Sequence, residues 1–129
     1  MINTKTLAVY LQTLPSITAI TGTNIIDGLF VDNPWGIYIS VIDQWKAYND
    51  GANVEERQSI RLLLIWQNDT KDSELKELRD IILSELEFKG LTLWGVAINT
   101  IQAENVNEIE FWLQKEKLIR LDFSFYYLT

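Results

Sequence analysis

The chain of 129 residues carries 18 acidic side chains and 11 Lys or Arg side chains, a net charge of −7. This balance excludes a reader of duplex DNA, which neutralises phosphates with Lys and Arg. The chain contains neither Cys nor His. This absence excludes disulfides, thiolate nucleophiles, zinc sites built from these residues, and Ser-His catalysis. With 47% hydrophobic residues and this length, we expect one folded domain over residues 1–129.

The first residues predict a broken helix followed by a short strand. Leu7, Leu11 and Leu14 recur with helical spacing, Pro15 ends this helix, and Gly22 ends a further turn. Residues 24–30 then fit a broken strand. The sequence shows neither the pattern of a cleavable leader nor an apolar run of about 20 residues. We therefore expect a chain made in the cytoplasm, with no contact to a membrane.

Two strands joined by a turn follow in the centre of the chain. Alternation over residues 36–42 predicts one strand, and residues 58–67 predict a second whose last half is apolar on both faces and therefore central in a sheet. Asp50 and Gly51 lie between them, and Asp-Gly is a hairpin signal because the turn needs positive φ. We expect residues 43–57 to form a long, exposed β-hairpin arm.

The C-terminal half predicts one helix and two strands. Helical spacing of Leu75, Leu78 and Ile82 predicts a helix over residues 72–88. Residues 91–98 and 118–128 alternate as strands, whereas residues 102–117 fit a twisted strand and a two-turn helix equally. The order of elements predicts an α+β fold, in which a mostly antiparallel mixed β-sheet has two main helices packed on one face and a protruding β-hairpin arm.

The acidic residues do not predict a metal or catalytic site. Asp27, Asp32 and Asp43 have no spacing typical of a metal cluster, and turn or cap positions explain them better. The carboxylates of the predicted helix alternate with Lys and Arg, which is typical of a solvated helix face. We expect no metal, no cofactor and no enzymatic activity, since a tuned carboxylate or Lys would be the remaining base at neutral pH.

The aromatic residues indicate a contact surface. Trp45 and Tyr48 lie in the predicted arm and Trp112 in the 102–117 segment, where exposure is expected. Trp and Tyr are enriched at the centres of interfaces, and Asp50 in the arm completes the candidate subunit or partner interface. For Trp45 and Trp112, an interface and packing onto the chain's own sheet are equally good interpretations, whereas packing is favoured for Trp35.

The order and spacing of these elements resemble the tail terminator proteins of long-tailed bacteriophages, also called tail completion or minor tail proteins, and the lambda-type terminator in particular. The resemblance extends over most of the chain. It rests on the stretches Ile17-Thr18-Ala19-Ile20-Thr21-Gly22, Ile25-Ile26-Asp27-Gly28, Pro34-Trp35-Gly36-Ile37-Tyr38-Ile39-Ser40-Val41 and Leu91-Thr92-Leu93, together with the arm, the strand at 60–66, the helix at 72–87 and the closing strand.

The resemblance implies a homohexameric ring in the tail or neck of a virion, assembled in the host cytoplasm. Such a ring docks on the tail tube protein, ends tube growth and joins the tail to the head–tail connector protein. Its negative charge would let genomic DNA pass through the lumen without specific binding.

Two alternatives to this assignment remain from the sequence. One is another head–tail joining, neck or baseplate ring subunit, which the order of elements does not separate from a terminator. The other is an acidic DNA mimic that blocks a nucleic-acid-binding enzyme. The charge is spread evenly along the chain, which argues against the mimic.

Overall fold

The computed structural model describes residues 4–22, 24–28, 36–49, 53–67, 72–87, 91–93, 96–107, 109–112 and 116–128. These residues form three helices and seven strands. They are α1 (Thr4–Gln12), α2 (Pro15–Thr21), β1 (Ile25–Asp27), β2 (Gly36–Asn49), β3 (Asn53–Gln67), α3 (Asp72–Leu86), β4 (Leu91–Leu93), β5 (Val96–Val106), β6 (Glu110–Trp112) and β7 (Glu116–Leu128). The predicted α+β class is confirmed.

The N-terminal helices follow their local sequence signals. Leu7 and Leu11 are buried on one face of α1, as their spacing predicts. Pro15 lies in the first turn of α2, where its missing N–H removes no helical hydrogen bond. Gly22 ends α2 with a φ of 60°, and its N–H donates to the Thr18 carbonyl at 2.8 Å.

One mixed sheet carries the strands in the order β1-β2-β3-β7-β5-β4, and β6 pairs with β7. Among the described strands, β1 and β2 run parallel, and every other pair is antiparallel. β3 pairs with β7 from residue 116 to residue 128, so β5 and β6 must both lie along the other side of β7. Together β5, which ends at Val106, and β6, which begins at Glu110, form the second neighbour of β7.

The core lies between the helices and one face of the sheet, which we call the helix-packed face. The fully buried side chains there include Leu7, Leu11, Leu78, Ile82, Ile37, Ile39, Ile60, Leu62, Leu64, Ile119, Leu121, Phe123 and Phe125. On the other side of the sheet, which we call the opposite face, a smaller buried cluster of Tyr38, Ile65 and Leu118 includes no helix residue. The sheet therefore buries apolar groups on both faces near its centre, as predicted for β3.

The hairpin predicted for residues 43–57 is present, and a third strand supports it. β2 and β3 pair from Gly36 opposite Ile65 as far as Asn49 opposite Asn53. β7 accompanies β3 as far as Glu55, so most of the arm is three strands wide. The tip of the arm, which includes Asp50, lies outside the described residues.

Two segments differ from the predicted strands. The single strand predicted over residues 91–98 is wrong, because β4 and β5 are separate and antiparallel, with Leu91 opposite Ile98 and Leu93 opposite Val96. Residues 94 and 95, between the two strands, lie outside the described residues. Over residues 102–117 the sequence left a strand and a helix open, and the strands described there are the end of β5, all of β6 and the start of β7.

Candidate assembly surface

A β-bulge in β2 determines which face of the sheet Trp45 occupies. Up to Val41 the odd-numbered residues of β2 lie on the helix-packed face, and the register then shifts between Val41 and Asp43, which makes Ile42 the extra residue. Side chains alternate along a strand, so without the insertion Trp45 would also lie on the helix-packed face. With it, Trp45 lies beside Arg57 on the opposite face.

Trp45 is an ordered aromatic group at the surface. Its side chain is 47% exposed, and the guanidinium carbon of Arg57 lies 5.6 Å from the centroid of its ring. A cation–π contact at an exposed site contributes about 0.5–1 kcal/mol, which holds the indole ring without burying it. A side chain that is already positioned loses little freedom on binding, so Trp45 is well suited to a contact with another molecule.

Exposed apolar side chains continue from Trp45 along β2. Val41 and Ile42 are 42% and 45% exposed. β1 pairs with β2 at residues 37–39, and no other described strand lies on the outer side of β2. We call residues 40–49 the free β2 edge. Apolar side chains on an unpaired strand edge favour pairing with another strand.

The four predicted interface residues do not lie together in one subunit. Trp45 and Tyr48 lie on β2, whereas Trp112 lies in β6, which pairs with the beginning of β7. Trp45 is level with residue 57 of β3 and Trp112 is level with residue 67, which separates them by about 33 Å along the strands. Asp50 and the side chains of Tyr48 and Trp112 lie outside the described structure.

An ion pair on the opposite face was not anticipated from the sequence. The guanidinium of Arg61 donates to both carboxylate oxygens of Asp122, at 2.8 and 3.1 Å, and this hydrogen bonding raises the pKa of Arg61. The amide of Asn105 donates to the same carboxylate at 3.4 Å. The sequence signal was a charged residue within each of two apolar strands, but their pairing depends on the register of β3 and β7.

A second ion pair connects α3 to the sheet. The Lys117 Nζ donates to Asp72 Oδ1 at 2.7 Å. Asp72 lies in the first turn of α3, where a negative charge is favoured by the helix dipole. The hydrogen bond from Lys117, aided by the charges of Lys117 and Lys76, holds the pKa of Asp72 below its usual range. This pair attaches the start of α3 to β7.

The described residues include a concavity but no cluster of side chains that could hold a metal ion. Within them, no three Asp or Glu side chains come close enough to hold a metal ion. A concavity of about 340 Å³ between α2 and α3 is lined by Trp66, several aliphatic groups, and the exposed carboxylates Glu74 and Glu77. Among the described residues of this lining, no hydroxyl or amine nucleophile lies beside a base. Of the three helices in the described ranges, none has the length and apolar character needed to span a membrane.

Comparison with known proteins identifies a structural neighbour. No protein-family model matches the sequence, and no curated protein matches it either. A chain of a solved structure described as the virion of a native gene transfer agent (GTA) particle is similar to this chain, with a TM-score of 0.73 and 16% sequence identity. The alignment covers 96% of this chain and 94% of that chain. The two chains therefore share a fold over nearly their whole length.

Proposed function

We propose that this chain is a structural virion protein: a tail terminator that forms a ring at the head-proximal end of a phage tail, ends growth of the tail tube and joins the tail to the head connector. The observation that carries the proposal is the fold shared with a chain of a gene transfer agent virion over almost the full length of both. The resemblance of the element order to tail terminators supports the finer assignment.

The architecture is compatible with a ring subunit. A ring of identical copies needs two different surfaces on each copy, because the contact between neighbours is head to tail. Among the described strands, the sheet is open and ends at two different edges, one formed by β1 and β2 and the other by β5 and β4. Each copy therefore carries two distinct edges on opposite sides, which is the arrangement that a closing ring uses.

The positions of the predicted interface residues suit a ring that lies between two partners. Trp45 and Trp112 lie about 33 Å apart along the strands, near opposite ends of the sheet. In the proposed ring, one end of the sheet faces the tail tube protein and the other faces the connector protein. Trp45, on the free β2 edge, then contacts the neighbouring copy, and the two tryptophans serve different contacts.

The net charge of −7 supports a conduit for DNA. Repeated around a ring, this charge repels phosphates. Genomic DNA therefore passes through the lumen without specific binding, and the work of the protein requires no bond to be made or broken.

Native mass spectrometry tests the proposal on the purified chain, first alone and then mixed with the tail tube protein of the same phage. We expect a species of six subunits that binds to tube ends and halts their elongation, as seen by electron microscopy. A chain that remains monomeric in both samples would overturn the ring. A ring that binds the connector protein but leaves tube growth unaffected would instead assign the chain to another joining ring.

A further inference from the structure

The described strands leave two outer edges of the sheet unpaired over most of their length. β1 pairs with β2 only at residues 37–39, and β4 pairs with β5 only at residues 96–98. The free β2 edge and residues 100–106 of β5, which we call the free β5 edge, therefore lie on opposite sides of the same sheet.

Hydrogen bonds identify the backbone groups that point outward from β2. The Ile37 N–H donates outward at 2.8 Å, and the Ile39 carbonyl accepts from outside at 2.7 Å. Backbone groups alternate along an antiparallel ladder, so those of Val41 also point outward. The bulge adds one residue, and the next outward positions are therefore Gln44 and Lys46.

Hydrogen bonds also identify the backbone groups that point outward from the free β5 edge. The Asn107 N–H donates to the Arg120 carbonyl at 3.1 Å, so the even-numbered residues of β7 direct their backbone groups toward β5. Where a β5 residue lies opposite an odd-numbered residue of β7, its backbone N–H and C=O therefore point away from β7, outward from the sheet. The register identifies them as Ile101, Ala103 and, after a second bulge, Val106.

The two edges match in spacing, because each contains one bulge. The outward positions on β2 are residues 41, 44 and 46, and those on β5 in reverse order are residues 106, 103 and 101. Both series have intervals of three and then two residues. An antiparallel alignment with Val41 opposite Val106 brings the two bulges level, and any other register separates them.

The paired residues in this alignment are both exposed valines. Val41 is 42% exposed and Val106 is 44% exposed. Val41 lies opposite Ile60 and Val106 lies opposite Leu121, and both of these partners belong to the core. The valines therefore lie on the same face of the sheet, where each would cover the other.

The strand directions also fit a head-to-tail repeat. Three antiparallel pairings, β2 with β3, β3 with β7 and β7 with β5, separate the two edges, so β2 and β5 run in opposite directions. A repeat that extends the sheet sideways preserves the direction of each strand. The β2 of one copy and the β5 of the next are then antiparallel, as the matched spacing requires.

We propose that copies of this chain join by pairing the free β2 edge of one copy with the free β5 edge of the next, in the register that places Val41 opposite Val106. This inference rests on the proposed ring and names the contact that builds it. The ring is then held by a continuous sheet, with main-chain hydrogen bonds across every boundary between copies.

Disulfide crosslinking tests the register, because the natural chain has no Cys. In a hydrogen-bonded antiparallel pair the Cα atoms lie about 5.5 Å apart, within the range of a disulfide. We expect the double variant Val41→Cys/Val106→Cys to form covalent oligomers on mild oxidation. The matched control is Val9→Cys/Val106→Cys, since Val9 lies on α1 and is 50% exposed. We expect at least tenfold fewer crosslinks in the control.

A proline variant tests the edge in a second way. Gln44→Pro removes an outward N–H while leaving the ladder between β2 and β3 intact, since proline is tolerated where the N–H faces away from the sheet. We expect it to convert rings to monomers with an unchanged circular dichroism spectrum. Rings that persist in this variant would contradict the proposed pairing.

The outcomes separate this inference from the proposed function. Equal crosslinking in the test and control variants, or dimers of the single variant Val41→Cys at the yield of the double variant, would overturn the pairing of β2 with β5. If the natural chain forms rings while the double variant does not crosslink, the pairing fails and the ring stands. If neither rings nor crosslinks form, both fail.

Discussion

Asp122 of β7 receives hydrogen bonds from both neighbouring strands. The guanidinium of Arg61 in β3 approaches its two oxygens at 2.8 and 3.1 Å, and the amide of Asn105 in β5 approaches one of them at 3.4 Å. The side chain of Asp122 is 9% exposed and that of Arg61 is 34% exposed. One carboxylate thus connects the three central strands on the opposite face and favours a single register among them.

Replacing this carboxylate should lower the stability of the fold. We expect Asp122→Asn to reduce the free energy of unfolding by about 1–3 kcal/mol, because the guanidinium loses its charged partner in a partly buried position. Urea denaturation followed by circular dichroism measures the change. The control is Asp80→Asn, since Asp80 pairs with Arg79 but is 66% exposed, and we expect less than about 0.5 kcal/mol there. Equal losses in the two variants would contradict the structural role of Asp122.

The pair of Asp72 and Lys117 predicts a pH dependence of stability. The pKa of Asp72 is lowered in the folded state, so its contribution is complete above the unfolded pKa of about 3.9 and is lost as the pH falls through the folded pKa. We expect the difference in free energy of unfolding between the natural chain and Asp72→Asn to be constant from pH 5 to 8 and to shrink below about pH 4.

Lys117→Met provides the control for this pH dependence. It removes the donor that lies 2.7 Å from Asp72, and the further change Asp72→Asn should then produce a much weaker dependence on pH. Denaturation curves collected at several pH values compare the two backgrounds. An undiminished effect of Asp72→Asn in the Lys117→Met background would show that another group lowers the pKa of Asp72.

Gly36 and Gly28 form a matched pair for testing the start of β2. Both have positive φ, 147° and 108°, but an added Cβ at Gly36 would overlap the backbone oxygen of Asn24, whereas one at Gly28 would meet no atom within 4 Å. We expect Gly28→Ala to cost about 1–3 kcal/mol from backbone strain alone. We expect Gly36→Ala to carry the same strain and to lose about 1–3 kcal/mol more, because its Cβ also overlaps the Asn24 backbone. Thermal unfolding of both variants measures which one loses more stability. A larger loss in Gly28→Ala than in Gly36→Ala would contradict the prediction.

Trp45 is expected to matter for association and not for folding. Its exposed ring lies over Arg57 on the opposite face. We predict that Trp45→Ala weakens association between copies about tenfold or more, as truncation of an interface Trp commonly costs over 1 kcal/mol. Native mass spectrometry over a dilution series measures this, with circular dichroism as the check on folding. Val9→Ala, another exposed apolar residue, should leave the ring mass unchanged at every dilution, and an unchanged mass for Trp45→Ala would refute the prediction.

Local patterns were sufficient to predict several elements. The spacing of Leu75 and Leu78 predicts α3, because a helix satisfies its hydrogen bonds within one segment and shows its buried side every three to four residues. The pairing of β2 with β3 was also predictable, since the sequence Asp50-Gly51 lies between two alternating runs. In each case the information needed was contained within a few neighbouring residues.

Features that depend on pairing between distant strands were not predictable. The bulge at Ile42 leaves no mark on the apolar pattern, because Val41 and Ile42 are both apolar and both exposed. Its effect on Trp45 appears only when β2 is placed against β3. The pairing of Arg61 with Asp122 joins residues 61 positions apart. The free edges are defined by the described strands β1 and β4, which pair with only part of β2 and β5.

The extra residue at Ile42 divides β2 into a part with buried isoleucine side chains and a part whose Trp45 side chain is exposed. Ile37 and Ile39, before it, are fully buried, and substitutions there act on packing. Trp45, after it, lies on the other face in contact with solvent, and substitutions there leave the core packing intact. A single inserted residue thus lets the exposed half of the strand change in sequence while the packing of the buried half is left undisturbed.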